Sequence, residues 1–278
     1  MKMNKIQTKD EIDIMLQNII NQLDLKCRKC RGSCVIRNKK NNFYKRCVFS
    51  LCQMEESIFK GSIFYYKKLD KYQVVYILRM WFSRVPVKAI SELLYISTNT
   101  VFSYLKKALK LIEHKYLNSI GMIGGPNIIV EIDESKFGRR KYYRGHKVEG
   151  VWVLGLVERT DKRRIILIPV KDRKSTTLIE IIKKYVHPES IIYTDGWKGY
   201  TTIKDNFLIH KSVNHSISFV DFINNVHTNT IEGNWAGVKQ DLPIQYRTKD
   251  RIMLYLIRFM IKRNRTEDAF EEFIKFLF

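Results

Sequence analysis

Hydrophobic positions along the chain change their period twice. In "DKYQVVYILRMWF" (70–82), Val74, Val75, Leu78, Trp81 and Phe82 recur at helical spacing. Pro86 breaks that run, and "KAISELLYI" makes a short second helix. A third opens at "STNT", with Ser97 placed to cap it. It keeps Val101, Leu105, Ala108, Leu109 and Ile112 on one side and Lys106, Lys107 and Lys110 on the other. After "GMIGGPN" (121–127), read as a linker, the pattern turns to strands. "NIIVEIDES" is an apolar run ending in acids, and "VEGVWVLGLVER" and "RRIILIPVKD" form a hairpin around "TDK". A helix in "STTLIEIIKKYV" leads to a fourth strand in "SIIYTDGW". Two more helical segments, "NTIEGNWAGVKQDL" and "DRIMLYLIRFMIKRN", follow. In the final stretch Phe270, Phe273, Ile274 and Leu277 form an apolar helical face that folds back on the protein or meets a second subunit.

Composition narrows the classes. The 45% hydrophobic and 12% aromatic content of these 278 residues is that of a folded chain. No run approaches the length of a membrane span. The opening residues break their apolar positions with acids and amides and carry no small-residue cleavage site, so secretion is not expected. A formal net charge of +22 points to a polyanionic partner, with nucleic acid first. An intracellular location with genomic DNA follows, in the nucleus of a eukaryote or otherwise in the cytoplasm.

All five cysteines lie in the first 60 residues, and an odd number without a secretory signal argues for reduced thiols. Cys27 and Cys30, then Cys47 and Cys52, have the order of a zinc ribbon, although the second knuckle is looser than usual and Cys34 competes. Structural Zn²⁺ and free cysteines both stay open. Nine Lys or Arg and no acid lie between Lys26 and Arg46, a repulsion that calls for DNA phosphate or a metal-tied scaffold.

Two helices joined by a tight turn, the second beginning with small polar groups and carrying lysines, fit a helix-turn-helix. Ser97, Thr98, Asn99 and Ser103 would face base edges while Lys106, Lys107 and Lys110 meet phosphates. A helical hairpin with a solvated lysine face is the plainer alternative. In "KFGRRKYYRGHK" (136–147), Arg139, Arg140, Lys141 and Arg144 are interleaved with aromatics, which suits a strand leading DNA in, as against an exposed charged hairpin.

Three acids fall at telling places. Asp133 closes the first strand, Asp195 closes the fourth and Glu232 opens a helix, 62 and 37 residues apart. Three antiparallel strands, a helix and a parallel fourth strand begin a ribonuclease H-like α/β fold, in which strands one and four are neighbours and a later helix brings in the third acid. Clustered carboxylates need cations, and hard oxygen ligands select two Mg²⁺ or Mn²⁺ ions for phosphodiester cleavage and strand transfer. Each acid has an ordinary explanation alone. Glu134 competes with Asp133 as the residue that faces solvent, Asp-Gly is a turn signal, and an acid at a helix start complements its dipole. Trp197 and Trp235 read as packing residues behind the acids.

"EIDES", "YTDGW" and "HTNTIEGNW", with "RRKYYRGHKVEGVWVLGLVER" and "SVNHSISFV" between them, resemble in order and wording the Merlin-type DDE transposases and their bacterial insertion-sequence relatives, which carry an ISXO2-like transposase domain. The resemblance covers roughly residues 45–265. It implies Asp133, Asp195 and Glu232 as metal-binding catalytic residues, with Asn229, His227 and His215 in support. It also implies a mixed five-stranded sheet with flanking helices, a preceding helix-turn-helix and often a zinc-ribbon-like N-terminus. The expected divisions are a Cys-rich basic region at 1–60, a helix-turn-helix region at 61–120, a catalytic domain at 125–265 and a C-terminal amphipathic helix at 266–278. The implied partners are double-stranded DNA, as terminal repeats and target, and at least a second copy of the chain. A catalytically retired DNA-binding protein and a ribonuclease H-like nuclease are the alternatives.

Overall fold

The computed structural model describes residues 8–39, 42–65, 68–138, 150–213, 227–264 and 268–278. It separates into two compact units, one ending at Ile112 and taking back Phe270–Phe278, the other running from Glu113 to Ala269. No helix among the described residues is long and apolar enough to cross a membrane.

The first unit opens with α1 (Lys9–Asn21), in the segment that the pattern leaves without an element. Thr8 and Glu11 cap each other's backbone, and Ile12, Met15, Leu16, Ile19 and Ile20 form the buried stripe. A three-stranded antiparallel sheet follows, made of β1 (Cys34–Lys39), β2 (Asn42–Cys47) and β3 (Glu55–Ser57). Part of the answer to the basic run lies in β3. Glu56, with a side chain only 7% exposed, is ringed by Arg28, Lys45 and Lys60 at 3.8, 3.2 and 3.0 Å, and Glu55 pairs with Lys39.

Helices α2 (Lys71–Phe82), α3 (Val87–Leu93) and α4 (Thr98–Ser119) occupy the expected segments. Asp70 and Gln73 form the capping box of α2, and Ser97 accepts the Thr100 N–H at 3.1 Å. The buried face of α4 includes Tyr104, while Leu109 is only half-buried. The C-terminal stretch folds back within this unit. Phe270, Phe273, Ile274 and Leu277 are all buried, and Phe273 and Phe270 pack on Trp81 and Phe82 at 5.8 and 5.6 Å.

In the second unit, β4 (Ile129–Phe137), β5 (Val151–Glu158) and β6 (Ile165–Val170) are antiparallel. Helix α5 (Ser175–Tyr185) then crosses to β7 (Ile191–Asp195), parallel to β4, and β8 (Ile209–Val213) lies parallel beyond it. The result is a mixed five-stranded sheet of order β6-β5-β4-β7-β8. On one face, Val130, Ile132, Leu154, Leu156 and Ile192 pack against Leu178 and Ile182 of α5. Helices α6 (Asn229–Asp241) and α7 (Ile252–Asn264) contact the sheet through β4, β5 and β6. Asn264 fastens α7 by exchanging two 2.8 Å hydrogen bonds with Ile165, and the buried Arg258 binds Asp241 at 2.9 Å. The terminal segment ends in α8 (Ala269–Lys275).

Residues 121–127 lead into β4 but do not divide the two units, which part between Ile112 and Glu113; Ile123 is buried, bridges to Val186, and precedes a Gly124 whose N–H donates to Glu158 at 2.9 Å. Gly124 has φ +81°, and a Cβ there would lie 2.2 Å from the Ser190 hydroxyl, so only glycine fits. Nor does Asp133 close its strand. β4 continues to Phe137, because β5 keeps pairing after β7 has stopped.

Candidate active site and metal centre

The paired register Ile132↔Thr194 puts the next residues, Asp133 and Asp195, side by side where β7 ends. Alternation turns Asp133 to the face opposite Ile132, which is the α6 side. There Trp235 donates its indole N–H to Asp133 Oδ2 at 2.8 Å and meets Phe137 edge-on at 5.9 Å. Gly155, opposite Asp133 on β5, makes room for that indole, for a Cβ would lie 2.6 Å from the ring. Glu232 stands in the first turn of α6, and its Oε1 accepts the Thr228 hydroxyl at 3.0 Å.

Electrostatics ties the three acids together. Burial pushes the Asp133 carboxyl above its ordinary range, and the charges of Asp195 and Glu232 push the same way, partly offset by the Trp235 N–H. Glu134 does not face solvent. Burial raises it to about 7, the charges of Asp133 and Asp195 add to this, and Tyr200 and Arg173 oppose it.

A second acid of β4 does positional work. Glu131 is fully buried, accepts the Ile231 N–H at the start of α6 at 2.9 Å, and pairs with Arg159. Arg159 in turn reaches the carbonyl and Nδ1 of His227 at 2.6 and 2.7 Å. His227 thus belongs to the anchor of α6, and Asn229 is the first residue of that helix, exposed. Sequence reading missed the roles of Glu131, Arg159, Glu134 and Tyr200. An acid inside a hydrophobic strand was the available signal. Trp235 supports the acid directly through its indole, whereas the Trp197 ring, 40% exposed, packs on Arg173.

In the first unit, Cys27, Cys30, Cys47 and Cys52 bring their sulfurs within 4.8 Å of one another, a group able to hold a metal such as zinc. Cys27–Cys52 and Cys30–Cys47 are 3.6 and 3.4 Å apart. These separations are near the roughly 3.8 Å edge of a tetrahedron with Zn–S of about 2.3 Å. The Cys27 thiol is drawn down to about 6, chiefly by the backbone N–H of Cys30, which favours the thiolate that metals bind. Cys34 stays outside this group, and β1↔β2 pairing at Cys34↔Cys47 supplies the scaffold.

On α4 and its cap, Ser97, Thr98, Asn99, Ser103, Lys106 and Lys110 are exposed. Ser97 spends its hydroxyl on the cap, and Lys107 lies over Tyr104 at 4.7 Å. Arg139, Arg140, Lys141, Arg144 and His215 lie outside the described residues.

A model of the ISXO2-like transposase domain matches residues 123–263, just over half of the chain. An uncharacterized transposase-like protein of Haemophilus influenzae is 32% identical over 81 residues, 29% of this chain. The match spans 64% of that protein's length. Among solved structures, the Mos1 strand transfer complex aligns at 10% identity over 73% of this chain and 82% of its own, with a TM-score of 0.19. A pre-cleavage Mos1 transpososome aligns at 11% identity over 71% and 76%, with a TM-score of 0.18. Scores this low carry no argument about the fold.

Proposed function

The chain belongs to the ISXO2-like transposase domain family, and from that premise we propose that it is a DDE-type DNA transposase with Asp133, Asp195 and Glu232 as its catalytic carboxylates. The observation that carries this reading is the side-by-side placement of Asp133 and Asp195, with Glu232 near enough for its charge to act on Asp133. We read the β4–β8 sheet with α5, α6 and α7 as a ribonuclease H-like catalytic domain.

An all-carboxylate oxygen donor set suits Mg²⁺ or Mn²⁺; burial raises Asp133 first, and the repulsion from Asp195 and Glu232 that adds to it is what a divalent cation relieves. When bound, such ions activate the attacking hydroxyl and neutralise charge on the leaving oxygen. The chain's own residues do the positioning. Trp235 holds one oxygen of Asp133, Thr228 holds one oxygen of Glu232, and Glu131 with Arg159 fixes the end of α6 that carries Glu232.

In this reading α3 and α4 form the helix-turn-helix that recognises transposon ends. Thr98, Asn99 and Ser103 face bases, and Lys106 and Lys110 face phosphates. The four-cysteine group holds structural zinc. Terminal repeats, target DNA and a second copy of the chain are its partners.

Calorimetric titration of Mn²⁺ into the full chain, alongside nicking of duplexes carrying the element's own ends, tests the catalytic assignment. Asp133→Ala, Asp195→Ala and Glu232→Ala should each weaken Mn²⁺ binding and abolish nicking while far-UV circular dichroism stays unchanged. Full nicking by any one of them removes that residue from the triad.

A further inference from the structure

Beside the carboxylates the second unit carries a cation held between two indoles. Arg173, in the connection from β6 to α5, has its guanidinium 4.0 Å from the Trp152 ring centroid and 4.3 Å from that of Trp197. Trp152 sits on β5 opposite Lys136, whose ammonium also lies over it at 5.4 Å. Trp197 is tied to the acid site, since its backbone N–H donates to Asp195 Oδ1 at 3.0 Å. Gly199 leaves space for the indole, because a Cβ there would lie 2.6 Å from Trp197 Nε1.

Stacking of this kind fixes the plane of the guanidinium and covers its faces, leaving its N–H donors to point outward along the edges. Among the described residues Arg173 has no hydrogen bond or ion pair; its charge is felt by Glu134. A half-buried, pre-oriented fork whose donors no described residue takes up is suited to an oxyanion with two acceptors in one plane, as a phosphate presents. Lys171, Lys174 and Lys198 are exposed close by in sequence, so the surroundings also favour a polyanion.

We propose that Arg173, clamped between Trp152 and Trp197, grips a backbone phosphate of the DNA strand entering the carboxylate site. This rests on the transposase reading and adds to it a residue outside the three acids and outside α4. The clamp makes the site specific for arginine. A lysine of equal charge has no planar group to stack and no fork to offer.

Fluorescence anisotropy of a labelled duplex, with Ca²⁺ as the divalent ion and several salt concentrations, tests the proposal on the full chain. Arg173→Met should flatten the slope of log K against log salt by about 0.9, the value of one lost phosphate contact, and weaken binding about tenfold. Arg173→Lys should fall close to Arg173→Met. Trp197→Ala, which removes half of the clamp while keeping the charge, should lose affinity, and Trp197→Phe should retain most of it. Wild-type binding by Arg173→Lys, or an unchanged slope in Arg173→Met, overturns the inference and leaves the transposase reading standing. Failure of the wild type to bind duplex DNA overturns both.

Discussion

Gly155→Ala probes how the third acid is brought to the other two. An added Cβ at this position would sit 2.6 and 2.7 Å from two ring carbons of Trp235 and 2.8 Å from Ile231 Cδ1. Restoring an ordinary contact of 3.4 Å requires the indole to withdraw by about 0.8 Å, and Trp235 is buried and cannot swing into solvent. Overpacking of this kind costs about 1–3 kcal/mol. A withdrawal of that size also stretches the 2.8 Å bond to Asp133 past hydrogen-bonding range, so an acceptor of about 1.5–3 kcal/mol loses its donor. Gly233→Ala is the matched control. It lies in α6, the helix of Trp235, with nothing within 4 Å of a new Cβ, and it should stabilise the protein by about 0.5–1 kcal/mol. Urea unfolding followed by tryptophan fluorescence reads the stabilities, and Mn²⁺ calorimetry reads the site. Gly155→Ala/Trp235→Phe should recover part of the stability, because the shorter ring relieves the clash, but not the Mn²⁺ affinity, because the N–H is gone. If Gly155→Ala is as benign as Gly233→Ala, close packing of α6 on β5 is not what positions the site.

Arg258→Met strands the buried Asp241 carboxylate, as both side chains are 2% exposed or less, and should cost about 3–5 kcal/mol in urea unfolding; a loss under 1 kcal/mol contradicts a buried pair. Metal analysis after growth in zinc-supplemented medium should find one zinc per chain, with Cys47→Ser losing it and Cys34→Ser keeping it. Zinc retained by Cys47→Ser refutes the four-cysteine assignment. His210 is held below its ordinary 6.5 by burial. Its contribution to stability is therefore present above pH 6.5 and lost as pH falls through the lower folded value. His210→Gln, which can keep a bond to the Thr194 hydroxyl, should flatten the stability profile on the acid side of neutrality; an unchanged profile assigns that pH dependence elsewhere.

By itself the sequence determined which segments form most of the elements, because apolar periodicity, caps and Gly-Pro punctuation are local. It marked α2 by five apolar positions that are all buried and β5 and β6 by their hairpin, and it placed Asp195 at the end of β7 and Glu232 at the start of α6, but not Asp133, which lies inside β4. It also named the four cysteines that converge, but Cys34 competed with them in the sequence and only the folded structure leaves it outside the group. Strand β8 was illegible as a segment, for "IHKSV" shows mostly polar residues at a sheet edge. The tertiary structure alone decided which acids are neighbours of what. Glu131 anchors α6 across 100 residues, Glu134 turns inward beside Tyr200, and Trp197 lies open on Arg173 while Trp235 is buried on Asp133. Nothing in a local pattern encodes these pairings. They arise when β7 crosses over to lie beside β4 and α6 packs down onto Gly155, bringing together side chains that chain spacing leaves unrelated.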